Sequence, residues 1–167
     1  MEDSKNYEFK IDEAKLSIRI KRTYDAKLDQ VWKAFTDAKI TDRWWAPKPW
    51  RCETKSQEFK TGGQWLYAML GPNGEKMWST STYQQIVPKV SLIVDDAFTD
   101  ENGHVDPSFP QSVWETTFTP LDDQTLVENK ITFQRSEDLQ ATLEMGFKEG
   151  YERGQQNLID WLKQHPE

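Results

Sequence analysis

The chain has 167 residues, a formal net charge of −7 and 36% hydrophobic residues. Its length fits one domain, and its acidic balance argues against nucleic-acid binding, because contact with the phosphate backbone depends on clustered Lys and Arg. Cys52 is the only cysteine, so an intrachain disulfide framework and a thiolate metal cluster are excluded, and a buried thiol is expected.

Aromatic residues are the conspicuous part of the composition. Eight Trp, eight Phe and five Tyr predict a core built from large rings. Rings leave gaps unless small residues fill the space between them. An internal cavity is therefore expected.

The N-terminal residues 1–15 mix acidic and basic side chains, and we predict a polar tail that frays. They contain no apolar segment of the kind found in secretory signals. The longest apolar run, residues 65–70, is too short to cross a membrane. We expect a cytoplasmic protein that binds no membrane, with a single domain over residues 16–165.

After the tail, the spacing of apolar residues changes from that of a strand to that of a helix. Residues 16–24 alternate apolar and polar side chains, which predicts a half-buried strand. Residues 27–35 and 37–45 have apolar side chains at helical spacing, which predicts two short helices in tandem. Pro47 and Pro49 end the second one.

Six further strands are predicted, separated by segments rich in Gly, Pro, Asn and Asp. They cover residues 50–54, 64–70, 76–87, 90–98, 112–119 and 125–133. No crossover helix lies between them, so the strands must form an antiparallel meander. The fold class is α+β.

A long helix is predicted over residues 136–165. Ser136 is a favourable N-cap, and Glu137 and Asp138 place negative charge in the first turn, where the helix dipole stabilises it. The apolar residues fall on one side, as in an amphipathic helix. Pro166 follows and cannot continue the helix.

Three glycines, Gly146, Gly150 and Gly154, lie on the apolar side of this helix. Each costs a helix interior about 1 kcal/mol relative to alanine. They indicate either close packing against another element or the floor of a cavity. We favour the cavity floor, because Phe147 and Tyr151 flank Gly150 and hold a sheet away from it.

Strand alternation identifies the walls of the expected cavity. Trp114, Thr116 and Phe118 are assigned inward on one strand and Asn129 on the next, with Asn129 interpreted either as an amide satisfied by protein partners or as a contact for a ligand. The face of strand 76–87 that points inward stays open. The residues expected to contact a ligand are Trp45, at the mouth, and Trp65, Tyr67, Met69, Trp78, Tyr83, Trp114, Thr116, Phe118, Asn129, Phe147, Gly150 and Tyr151.

Acidic residues between positions 95 and 106 do not match the calcium-loop pattern, and we interpret them as a solvated turn. His104 and His165 lie in predicted surface segments, and no zinc spacing or Gly-x-Ser-x-Gly motif occurs. No metal and no cofactor are therefore expected. Catalytic residues are not identified.

Several segments together resemble a known family. They are YDAKLDQVWKAFTDAKITDRWW at residues 24–45, GGQW at 62–65, Met69, Gly74, YQQIVP at 83–88 and GYERGQQNLIDWL at 150–162. The chain resembles, over about residues 16–164, the activator of heat-shock protein 90 ATPase homologue-like group of the START-like (SRPBCC) superfamily. The resemblance implies a helix-grip fold, in which a curved antiparallel sheet wraps the C-terminal helix and encloses a hydrophobic cavity. Trp78 and the three helix glycines depart from the family pattern, so ligand identity does not carry over.

Three functions are compatible with these patterns. The first is binding of a small hydrophobic or aromatic molecule in the cavity. The second is an enzyme of the cyclase, hydrolase or dehydratase type, which needs a titratable group in the cavity. The third is a module that binds a chaperone in a stress response, which needs an exposed apolar patch; a homodimer is a further alternative.

Overall fold

The computed structural model of the protein describes residues 6–166. The strands are β1 (Tyr7–Asp12), β2 (Ser17–Tyr24), β3 (Arg51–Gln57), β4 (Gln64–Leu70), β5 (Lys76–Val87), β6 (Ser91–Thr99), β7 (Gln111–Leu121) and β8 (Gln124–Thr132). The helices are α1 (Leu28–Thr36), α2 (Ala38–Thr41), α3 (Ser136–Glu144) and α4 (Phe147–Gln164). None of the helices in this range has the length and apolar character needed to cross a membrane.

The strands form one eight-stranded sheet in the order β1-β2-β8-β7-β6-β5-β4-β3. Every neighbouring pair is antiparallel. Helix α4 packs on the inner face, where Leu158 and Leu162 contact the cluster that contains Phe118 and Val127. The predicted helix-grip α+β fold is confirmed.

The prediction of a fraying tail is wrong for residues 7–12. They form β1, whose register pairs Tyr7 with Arg22 and Asp12 with Ser17. Tyr7, Phe9 and Ile11 alternate with charged residues, as expected for a strand, although this edge strand is only partly buried. Residues 1–5 lie outside the described range.

The predicted C-terminal helix is two helices. It begins at Ser136 as expected, but Arg135 occupies the N-cap position and no side chain caps it. Gly146 separates α3 from α4 with a φ of 85°, a left-handed conformation that glycine adopts without steric cost. Gly146 is therefore a helix junction and not part of a cavity floor.

The other two glycines lie inside α4, in different surroundings. A Cβ atom on Gly150 would meet only Pro47 Cγ, at 3.8 Å. A Cβ atom on Gly154 would lie 3.0 Å from the Trp45 carbonyl oxygen. The close approach of the Trp45 backbone explains why glycine occupies position 154. Gly150 faces Pro47 and does not line the cavity, so its interpretation as a cavity floor is wrong.

Trp45 lies where the hydrophobic clusters of the core meet. It packs against the cluster around Leu158, the cluster around Ile131 and the cluster around Tyr67. The segment that follows α2 therefore carries this ring into the space between the sheet and α4. Asn157 Nδ2 holds the segment by donating to the carbonyl oxygen of Ala46 at 2.9 Å.

Candidate functional site

A cavity of about 60 Å³ lies between the inner face of the sheet, α4 and the segment after α2. Its wall is mostly aromatic and aliphatic, with a few polar side chains. The lining residues are Phe35, Thr41, Trp45, Trp65, Ser81, Tyr83, Leu92, Val94, Asp96, Trp114, Thr116, Asn129 and Tyr151. An apolar cavity with a few placed polar groups is the usual chemistry of a small-molecule site.

Three aromatic rings of the wall surround Trp45. The Trp45 ring centroid lies 5.7 Å from Trp65, 6.1 Å from Trp114 and 5.9 Å from Tyr151. The contacts with Trp65 and Tyr151 are edge-to-face, a favourable arrangement for ring quadrupoles. This packing fixes the rings and leaves the gap between them that the ring-rich composition predicts.

Asn129 connects the sheet to α4 at the cavity. Its Oδ1 accepts a hydrogen bond from the Thr116 hydroxyl at 2.7 Å, and its Nδ2 donates to the Tyr151 hydroxyl at 3.0 Å. Burial raises the pKa of the Tyr151 phenol, which therefore stays protonated at neutral pH. Both polar atoms of the Asn129 amide thus have protein partners, and the interpretation of this residue as a satisfied amide agrees with the structure.

Asp96 is the acidic residue of the cavity wall. It is half-buried on β6, and its Oδ1 accepts a hydrogen bond from the Ser81 hydroxyl at 2.8 Å. Surrounding protein atoms desolvate the carboxylate and raise its pKa to about 6, while the Ser81 hydrogen bond acts in the opposite direction. The residue is consequently ionised at neutral pH and protonated in mild acid.

A family model for "Activator of Hsp90 ATPase homolog 1-like protein" matches residues 25–163. The chain belongs to this family. The match begins just before α1 and ends in the last turn of α4, so it includes every residue that lines the cavity. The predicted family is thereby confirmed.

Solved structures of similar proteins have the same fold. A solution structure of a protein from Arthrobacter aurescens superposes with a TM-score of 0.89 at 28% identity, covering 95% of this chain and 92% of that one. A crystal structure of a protein from Mycobacterium smegmatis has a TM-score of 0.85 at 26% identity, covering 93% and 95%. One from Nitrosomonas europaea has a TM-score of 0.80 at 23% identity, covering 92% and 97%. No curated protein matches the chain.

The structure brings together seven of the residues that the sequence nominated for ligand contact. They are Trp45, Trp65, Tyr83, Trp114, Thr116, Asn129 and Tyr151. Trp45, expected at the mouth, lines the wall. The open question about strand 76–87 is resolved, because Ser81 and Tyr83 line the cavity.

Three nominated residues face the inner side but are covered by neighbours. The Tyr67 ring stacks on Trp65 at 3.9 Å, and its hydroxyl accepts a hydrogen bond from Trp45 Nε1 at 3.3 Å. Phe118 packs 5.1 Å from Trp32 in the core. Met69 packs against the cluster that contains Tyr67.

The other three nominated residues lie away from the cavity wall. Trp78 has the opposite parity to Ser81 on β5 and packs under the Lys76 ammonium group, 4.9 Å from its ring centroid. Phe147 stacks on the far side of Tyr151 at 5.4 Å. Gly150 faces Pro47. Helical periodicity places Phe147 and Gly150 on the apolar side of α4, but it does not show which part of that side borders the cavity.

Sequence reasoning missed six residues of the wall: Phe35, Thr41, Ser81, Leu92, Val94 and Asp96. A signal for three of them was present, because Leu92, Val94 and Asp96 alternate along a predicted strand. Asp96 was grouped with the acidic turn instead, and this assignment is wrong. Asp100 does belong to the turn, where its carboxylate accepts from the backbone N–H of Asn102 and of His104.

Proposed function

We propose that the protein binds a small hydrophobic or aromatic molecule in the cavity beside Trp45. The observation that carries this proposal is the gap in an otherwise closely packed set of rings. A few polar groups, among them Ser81 and Asp96, border that gap and provide orientation. The proposal agrees with the general character of the fold.

The size of the cavity limits the ligand. A volume of about 60 Å³ is small beside the roughly 300–1,000 Å³ of pockets for drug-sized molecules. It accommodates a group of a few non-hydrogen atoms. A larger molecule places one end in the cavity and moves a wall side chain to admit the rest.

Val94 offers a direct test, because its side chain lines the cavity and its size is easily changed. Benzyl alcohol is titrated into the protein while the indole N–H signals of Trp45 and Trp114 are followed by NMR. We expect Val94→Ala to tighten binding several-fold by enlarging the cavity and Val94→Ile to weaken it. Ile93→Val, on the opposite face of β6, is the control and leaves affinity unchanged. Absence of binding to the native protein and to both Val94 variants contradicts the proposal.

A second candidate is an enzyme of the cyclase, hydrolase or dehydratase type. Asp96 favours it, because a carboxyl group with a raised pKa beside the Ser81 hydroxyl provides the titratable group that such a reaction needs. A screen of esters, epoxides and enol-type substrates between about pH 5 and 8 tests it. Turnover by the native protein that is lost in Asp96→Asn supports the enzyme hypothesis. If the native protein shows no turnover, the enzyme hypothesis is rejected and the binding proposal is the one that stands.

A further inference from the structure

Within residues 6–166, no Lys, Arg or His forms an ion pair or hydrogen bond with the Asp96 carboxylate. The part of the chain that the structure describes contains no Lys, Arg or His in the cavity wall. Its hydrogen bond to Ser81 comes from a neutral hydroxyl. The ion pairs formed by Glu128 and by Asp29, among others, lie on exposed parts of the surface. Charged groups that protein atoms shield from water are normally paired.

The rings of the wall favour one kind of partner for this charge. Trp45, Trp65 and Trp114, together with Tyr83 and Tyr151, surround the same space as the carboxylate. The faces of aromatic rings attract cations, and tryptophan does so most strongly. A carboxylate combined with several rings therefore provides both a point charge and polarisable walls for a positively charged group.

An inorganic cation suits this wall poorly. Calcium requires six to eight oxygen ligands, and transition metals prefer groups of His, Cys or carboxylate side chains. Within residues 6–166, no three such side chains are grouped so that they could hold a metal ion. An organic cation needs only one carboxylate, because carbon-bound hydrogens and ring faces complete its contacts.

We propose that the ligand carries a protonated amine whose ammonium group pairs with Asp96 inside the aromatic cavity. The inference rests on the proposed binding function and identifies the ligand class as a small alkylammonium or arylalkylammonium ion. The volume of about 60 Å³ holds an ammonium group and one or two carbon atoms. The remainder of an arylalkyl chain requires a wall side chain to move, as for any larger ligand.

Two pairs of probes of matched shape test the inference. Ethylammonium is compared with ethanol, and benzylammonium with benzyl alcohol, by NMR titration at pH 7.5 with the Trp45 and Trp114 indole signals as reporters. We expect the native protein to bind each ammonium ion at least ten-fold more tightly than its neutral counterpart. In Asp96→Asn we expect this preference to disappear while binding of the alcohols persists.

Asp95→Asn is the matched control, because Asp95 is exposed on the opposite face of β6 and its loss changes the net charge equally. The preference for amines persists in this variant if the cavity carboxylate is responsible. Because the comparison of amine with alcohol uses the native protein, it holds even if a variant fails to fold.

Three results overturn the inference. Equal affinity of native protein for the amine and its alcohol removes the charge pairing but leaves the proposed binding function intact. If Asp95→Asn and Asp96→Asn lose the preference for amines equally, that preference comes from the overall acidic surface and not from the cavity carboxylate. Absence of binding by all four probes, in native protein and in the enlarged Val94→Ala variant, contradicts the proposed function as well.

Discussion

The interface between α4 and the sheet has two ends of different character. At the filled end, formed by Trp32, Phe118, Val127 and Leu158, rings and aliphatic side chains interlock, and Leu158 is 0% exposed. At the cavity end, formed by the residues around Trp45, the same helix faces a gap bordered by polar groups. Both ends contain several large rings, so the number of rings does not distinguish them.

What separates them is the polarity of the inward residues. Strand β8 contributes Val127 at the filled end and Asn129 at the cavity end, while β7 contributes Phe118 and then Thr116. Hydrogen bonds among Thr116, Asn129 and Tyr151 require fixed distances, so these side chains cannot close on the remaining space. The filled end has no such requirement and packs to the density of an ordinary core.

The largest expected effect lies at the filled end. Leu158→Ala removes a fully buried side chain from a site with little room to collapse, so we expect the free energy of unfolding to fall by about 3–5 kcal/mol. Urea denaturation measures this change. Leu121→Ala, at a position 44% exposed, is the control and changes stability by less than about 0.5 kcal/mol. A loss below about 1 kcal/mol for Leu158→Ala would show that the filled end is loosely packed.

Asp96→Asn tests the cavity end. In contrast to Leu158→Ala, we expect it to raise the free energy of unfolding. The pKa of Asp96 rises from 3.8 to about 6 on folding, so the folded protein holds this proton more tightly and stability falls as the pH rises through this range. Above about pH 6 the ionised carboxylate costs on the order of 1–3 kcal/mol, which Asn removes while still accepting from Ser81. We therefore expect the variant to be more stable than native protein in urea at pH 7.5.

The same experiment has an internal control in pH. As the pH falls below the unfolded-state pKa of 3.8, the carboxyl group becomes protonated in folded and unfolded protein alike, so the stabilisation is lost. An equal gain at pH 3.5 and pH 7.5 would attribute the effect to packing instead of charge. A gain that is restricted to neutral pH identifies the cavity end as a place where stability is reduced by a functional group.

Gly154 tests the boundary between the ends, where the backbone of Trp45 approaches α4. In Gly154→Ala the new Cβ would lie 3.0 Å from the Trp45 carbonyl oxygen, in a segment held by Asn157. We expect a net loss of about 1–2 kcal/mol, since this crowding exceeds the gain in helix propensity. Thermal denaturation compares it with Gly150→Ala, its matched control.

Gly150→Ala meets only Pro47 Cγ, at 3.8 Å, so we expect it to raise stability by up to about 1 kcal/mol. The two substitutions are chemically identical and lie in the same helix. If both stabilise, the segment that carries Trp45 is able to move away from α4. If both destabilise, the space beside Gly150 is already occupied by more than Pro47.

Much of the fold follows from local patterns. The predicted strands 64–70 and 76–87 agree with β4 and β5, and the inward assignment of Thr116, Phe118 and Asn129 is confirmed by their burial. Such predictions succeed because the period of two in a strand depends only on neighbouring residues. The edge strand β1 was missed although Tyr7, Phe9 and Ile11 alternate with charged residues, because those charges were interpreted as a polar tail. Its pairing with β2 is what orders the segment as a strand.

The sequence by itself determined which side chains of an element share a face, because backbone geometry assigns each residue to a face before any packing occurs. Only the tertiary structure decided which inward side chains border the gap. Phe147 and Tyr151 share one face of α4, yet Tyr151 lines the cavity while Phe147 stacks behind it. Asp96 became part of the wall because β6 pairs between β5 and β7, which sets its carboxylate beside Ser81 and among rings from distant segments. Enclosure depends on how whole elements meet, and for that reason it emerges only when the sheet and the helix have packed together.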